Sequence, residues 1–151
     1  MQNYWLSDIG FQKNLSRAIQ EAVKPKANSS CPPATQDITV NLRNRATAIQ
    51  KANYGPMNPD NDNDAFWQAK ADLFKTDVEQ AKECVCANCA VFFQTEELLN
   101  CIKSGLDSGP EADAIVEKAN LGYCEIFDFK CAGDRTCDAW VVGGPITDSD
   151  M

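Results

Sequence analysis

The chain of 151 residues contains no histidine. That removes the ordinary imidazole base from any catalytic scheme, and it removes the nitrogen donor of many zinc sites. No serine or aspartate constellation stands out to replace it, so the chain does not read as an enzyme. No run of 18 or more apolar residues occurs, which argues against a membrane-spanning helix. Positive charge is scarce as well. The 14 Lys and Arg stand against 22 Asp and Glu, for a formal net charge of -8, and this argues against a nucleic-acid surface and an anionic membrane surface alike. An acidic body suits a basic protein partner better. In the first 25 residues, Asp8, Lys13, Arg17 and Glu21 interrupt every apolar stretch. No signal-peptide core is visible there, and a chain cytoplasmic at synthesis is expected.

What the sequence does have is cysteine, eight in all, with 44% apolar residues, enough for one ordinary core. Six of the eight lie between Cys86 and Cys137. In a chain without histidine such a density points to cross-linking, to a soft metal or to thiol redox chemistry. A reducing compartment favours the last two over structural disulfides.

The N-terminal segment reads as an amphipathic helix, with Phe11, Leu15, Ala18, Ile19, Ala22 and Val23 at three- and four-residue steps and Pro25 as its stop. Residues 25 to 37 combine prolines with small polar residues and read as a connector, so residues 1–37 form an arm whose helix offers a face to a protein partner. Cys31, alone in that connector, is a spare thiol or half of a disulfide. Ile38, Val40 and Leu42 then alternate as in a strand before Ala46, Ile49 and Ala52 take helical steps. Tyr54-Gly55-Pro56 ends that helix.

Asp60, Asp62 and Asp64 alternate with asparagines as at the start of a calcium loop. Ala65 and Ala71 stand where that loop needs its glycine and its bidentate glutamate, so a turn capped by Asn63 or Asp64 is the better reading. One long helix is expected over 65 to 83, with Phe66, Trp67, Leu73, Phe74, Val78 and Ala81 on its apolar face. Two further helices are expected between Cys89 and Cys124. The first is opened by Thr95 and ended by Gly105; the second has Pro110 in its first turn and Gly122 as its stop. Cys101 falls on the first of them among Leu98 and Ile102, where a buried apolar thiol is as good a reading as a functional one.

The helix over 65 to 83 delivers the chain to Cys84, Cys86 and Cys89. Two residues between thiols let a tight turn aim both sulfurs at one ion or at neighbouring irons of a cluster, and Cys86 with Cys89 is the favoured pair. A zinc knuckle and a redox dithiol share this spacing. The dithiol is disfavoured because a helix, rather than a strand, precedes the motif.

The stretches CANCAVF (from Cys86), CEIFDFK (from Cys124) and CDAW (from Cys137) together resemble high-potential iron-sulfur proteins. In that family a CxxC is followed by an aromatic, a third cysteine by an apolar-aromatic pair and a lysine, and a fourth cysteine by a tryptophan two residues on. The resemblance covers residues 86 to 140. It implies a 4Fe-4S cluster held by Cys86, Cys89, Cys124 and Cys137, with Phe92, Phe93, Tyr123, Phe127 and Trp140 as its apolar wall. A rival register takes Cys101 as the third ligand and the motif at Cys124 as the fourth. It leaves Cys131 and Cys137 unexplained, whereas a hairpin at Ala132 to Arg135 supports the first register. The pattern, including RTCDAWVVGGP, is also similar to cysteine-rich proteins of marine and freshwater bacteriophages. That implies a virion component whose N-terminal arm docks on other virion proteins.

The expected fold is a small α+β protein, mainly helical in its N-terminal part, with a loop-rich, short-hairpin iron-sulfur region at 84–140 inside a single domain spanning 38–151. The implied function is one-electron transfer or a cluster-stabilised structural role. The alternative is a zinc-bound or disulfide-stapled phage structural protein without redox function.

Overall fold

The computed structural model describes residues 31–151. The expected N-terminal amphipathic helix and residues 25–30 of the connector lie outside the described residues. The connector's last residues are packed into the body. Pro33 sets the first turn of α1 (Pro33–Gln36), Thr35 closes it by donating its hydroxyl to Pro32 O at 2.7 Å, and Ala34 and Thr35 are buried.

The strand-like start expected at Ile38 is helical instead. Asp37 accepts the Thr39 N–H at 2.9 Å, an N-cap that starts α2 (Ile38–Ala52) about two turns earlier than the Ala46 periodicity suggested. Ile38 and Leu42 are exposed, so their alternation marks no buried strand face. Asn53, in the left-handed conformation at φ 50°, ends the helix, and the chain turns through Tyr54 and Gly55.

The turn over residues 58 to 63 is built from asparagine side chains. Asn58 accepts the Asp60 N–H, and the Asn63 amide donates to the carbonyls of Asn58 and Asn61 at 2.8 Å each. With its side chain committed there, Asn63 precedes α3 (Asp64–Phe74) without capping it. The single helix expected over 65 to 83 is broken in two. Lys75 turns left-handed at φ 53°, and Asp77 opens α4 (Val78–Ala81) by accepting the Gln80 N–H at 2.7 Å. A cap inside the apolar pattern supplies an alternative partner for the backbone and stops the first helix.

A three-stranded antiparallel sheet follows, β1 (Phe92–Phe93), β2 (Leu121–Cys124) and β3 (Phe129–Ala132), in the order 1-2-3. Phe92 pairs with Cys124, Cys124 with Phe129 and Gly122 with Cys131. Between β1 and β2 run α5 (Glu96–Gly105), capped by Thr95 on the Leu98 N–H, and α6 (Pro110–Ala119), which Asn120 ends in the left-handed conformation. Gly122 has another role. A Cβ there would stand 2.5 Å from the Phe92 ring, so glycine in β2 lets that ring lie across the strand. The hairpin expected at Ala132 to Arg135 is displaced: the pairing is β2 with β3, joined through residues 125 to 128, and Ala132 to Arg135 is a second turn leading to Thr136, which pairs with Gly55.

Successive side chains on a strand point to opposite faces, and this divides the core. Phe92, Cys124, Phe129 and Cys131 face one way, towards Tyr54 and Ala48. Phe93 and Tyr123 face the other, towards Ala34 and Leu98. The α+β class holds.

Candidate metal centre

The CxxC segment is a single 3-10 turn, Cys86–Asn88, closed by the Cys89 N–H on Cys86 O at 2.9 Å. It is stitched to the chain beyond β3. Cys86 N donates to Arg135 O at 2.6 Å and Ala87 N to Gly133 O at 3.0 Å. On its other side, Gly143 and Gly144 both donate to Asn88 O. A Cβ at Gly144 would lie 1.7 Å from Cys89 O, so only glycine permits that contact. Trp140 braces the same turn, donating its indole N–H to Asn88 Oδ1 at 2.8 Å and to Val85 O at 3.0 Å.

Five sulfur-bearing residues, Cys86, Cys89, Cys124, Cys131 and Cys137, line one cavity of about 20 Å³. They come from three places: the turn, one face of the β2–β3 hairpin, and the loop after it. The rest of the lining is apolar, including Val91, Phe92, Ile126, Phe127 and Phe129. The one hydroxyl in the wall, that of Tyr54, accepts the Ala132 N–H at 3.2 Å, and its ring meets Phe129 edge-on at 5.0 Å. Water needs two to four polar partners to settle in such a space, and thiols are poor ones. The cavity suits a soft, sulfur-binding occupant.

Burial raises these thiols above their ordinary range. Cys89 is pushed up to about 11, with backbone N–H groups of Val141 and Val91 pulling the other way. Cys124 and Cys137 are raised by burial first, against backbone N–H groups of Phe127 and Ile126 at the former and Ala139 at the latter. The Phe127 N–H stands 3.5 Å from Cys124 Sγ. Each of these three sulfurs thus has a backbone donor ready to stabilise a thiolate. Cys131 differs. Burial raises it, and the neighbouring Cys86, Cys124 and Cys89 raise it further.

All four cysteines expected as ligands line the cavity, and so does the fifth, Cys131. Of the expected wall, Phe92 and Phe127 line it. Phe93 and Tyr123 instead face the opposite side of the sheet, because each sits one residue out of phase with Phe92 and Cys124. Trp140 packs behind the turn, 6.0 Å from Phe74. Tyr54, Phe129, Val91 and Ile126 were not singled out from the sequence. Phe129 was within reach of a period-two argument, lying two residues before Cys131.

Cys101 is not at the cavity. It is joined to Cys31 in a disulfide with a Cα separation of 5.5 Å, so the rival register loses its third ligand and the buried-thiol reading of Cys101 is corrected. Cys84 lies outside the cavity, with its thiol 3.5 Å from Gln80 O. Among the described residues, no group of three or more His, Cys, Asp or Glu side chains is placed to hold a metal ion, and no helix is long and apolar enough to cross a membrane. A lone zinc draws its thiolates to about 2.3 Å from one point. Comparison of the chain with protein-family models, with curated proteins and with solved structures gives no match.

Proposed function

We propose that this is a 4Fe-4S protein of the high-potential type, with Cys86, Cys89, Cys124 and Cys137 as the ligands. The observation that carries the reading is the convergence of buried cysteines on one apolar cavity, three of them with backbone N–H donors. When bound, such a cluster takes up and releases one electron at a time. Phe92, Phe127, Phe129 and Val91 exclude water and oppose the accumulation of charge, while the amides of Val91, Val141 and Phe127 offset that opposition at the sulfurs. The balance of these two sets of groups fixes the potential. Trp140 and Gly144 position the CxxC turn. With no histidine in the chain, the role is electron transfer or a stabilising centre rather than catalysis.

The Cys31–Cys101 disulfide favours a second element of the reading. Disulfides persist outside the reducing cytosol, so the finished protein works in an oxidising setting, and a bacteriophage particle is such a setting. The N-terminal segment would then be the part that meets a virion protein partner.

The test is iron, zinc and acid-labile sulfide analysis, with a visible spectrum, on protein purified without air. About four irons and four sulfides per chain, with a broad sulfur-to-iron charge-transfer band, are expected. A colourless protein with neither iron nor sulfide overturns the cluster and leaves a disulfide-stapled structural module; stoichiometric zinc would point to the zinc form.

A further inference from the structure

A groove of about 370 Å³ opens on the side of the sheet away from the cysteine cavity, where Tyr123 packs with Ala34 and Val40. One water needs about 10–15 Å³ of such space, so the groove is sized for side chains. Its lining combines Pro32, Pro33, Val40 and Tyr123 with two carboxylates, Glu125 and Asp128. Both walls are held by the body itself. The Asn44 amide donates to Asp128 O at 2.7 Å and Asp128 N to Cys124 O at 2.8 Å, which sets the β2–β3 turn against α2. At the other rim, the Thr35 hydroxyl holds Pro32 O, and the Cys31–Cys101 disulfide ties the preceding residue to α5. The chain before Cys31 therefore joins the body beside this groove.

Charge divides the chain at the same point. Residues 1–30 carry Lys13, Arg17, Lys24 and Lys26 against Asp8 and Glu21, whereas residues 31–151 carry 10 basic and 20 acidic side chains. Lys24 and Lys26 are the basic residues closest in sequence to the groove, and Val23 stands directly before them. An extended chain covers at most about 3.6 Å per residue, so the five residues from Lys26 to Cys31 span up to about 18 Å.

We propose that the groove is the seat of this chain's own N-terminal segment, with Lys24 and Lys26 at Glu125 and Asp128 and Val23 against Val40 and the two prolines. Tethering selects this occupant over others. A segment joined to the rim meets the groove at an effective concentration on the order of mM, which a separate basic protein or a second copy has to exceed. The inference rests neither on the cluster nor on the virion contact; it gives the arm a resting position that a partner has to displace.

The experiment uses the full chain, mixed in equal amounts with the same chain carrying heavy nitrogen, at micromolar concentration. A water-soluble carbodiimide joins carboxylates to lysine amines in contact with them, and the peptides are mapped after digestion. The expected result is a link from Lys24 or Lys26 to Glu125 or Asp128 in which both peptides carry the same isotope. It should be lost in molar salt, where the screening length is about 3 Å. It should also be lost in Lys24→Gln/Lys26→Gln, whose substitutions lie outside the described body, with a several-fold rise in coupling of Glu125 and Asp128 to added glycine ethyl ester. Absence of the link in the wild-type chain overturns the proposal, and so does ester coupling that the variant leaves unchanged. Links with mixed isotopes overturn it by giving the groove to a second copy. Protection of the two carboxylates by added pentalysine, with no link from residues 1–30, overturns it in favour of a separate basic partner.

Discussion

The ammonium of Lys70 is bonded to the carboxylate of Asp138, the residue directly after Cys137, and Lys70 is almost fully buried. The Lys70 ammonium also donates to Asn53 O at 3.2 Å, the Asn53 amide donates to Asp138 Oδ2 at 2.7 Å, and Asp138 N donates to Ala52 O at 2.6 Å. One ion pair therefore fixes the end of α2, the middle of α3 and the loop that presents Cys137. Lys70→Met leaves Asp138 without its cation, and a loss of about 3–5 kcal/mol in urea unfolding is expected. Adding Asp138→Asn should restore a large part of it. If the single variant is as stable as wild type, the pair does not hold this loop.

Cys124→Ser and Cys137→Ser are expected to abolish iron binding in the protein purified without air. Cys101→Ser should retain the iron while losing the disulfide, whose 70-residue separation corresponds to about 4 kcal/mol of chain entropy. Iron content and urea midpoint, measured on the same three variants, separate the two kinds of sulfur. Loss of iron from Cys101→Ser alone would return the third ligand to that position.

Thr136 is fully buried, and its hydroxyl has no hydrogen-bond partner among the described residues. Its backbone already pairs with Gly55 in both directions, so the side chain is there for volume. Thr136→Val keeps that volume and removes a desolvated hydroxyl. Stability should rise by about 1 kcal/mol, read as a higher urea midpoint at unchanged slope.

In the iron-free protein, stability should fall as the medium turns alkaline. The unfolded chain ionises Cys89 near 9.0, whereas the folded chain keeps the proton to about 11. Below 9 both states hold it and the contribution is intact. Between 9 and 11 the unfolded state binds fewer protons, and about 2–3 kcal/mol is lost. Tyr54 and Tyr123, raised in the same direction by burial, extend the loss to higher pH. Urea unfolding at pH 8 and pH 10.5 measures it; equal stabilities would mean that Cys89 is not buried as the fold places it.

The helices at Glu96 and Pro110 were legible because each has its own start signal, Thr95 as a cap and Pro110 in the first turn. The start of α2 was missed although Asp37 stood before it, because Ile38, Val40 and Leu42 alternate as in a strand and Asp37 reads as the end of a polar connector. The break at Lys75 was hidden for a related reason: the apolar spacing runs straight through it, and only the Asp77 side chain reveals the second start. Four of the five cysteines gathered at the cavity were singled out from the sequence and Cys131 was not, and the wall could not be read in full. Phe92 and Phe93 are adjacent aromatics of equal composition, and only the pairing of Phe92 with Cys124 decides which one faces the sulfurs. The Cys31–Cys101 bond spans the chain from connector to helix, and no local pattern announces it.

The two faces of the short sheet keep two kinds of sulfur chemistry apart. The cavity thiols lie with Phe92 and Phe129 on one side, while the cystine joins α5 to Cys31, two residues before α1, and these helices pack with Phe93 and Tyr123 on the other. Phe93 and Tyr123, nearly inaccessible to solvent, stand between them as a bulkhead. The cystine can accordingly stay oxidised while the cavity sulfurs stay reduced, and neither can scramble with the other without first melting β1 from β2.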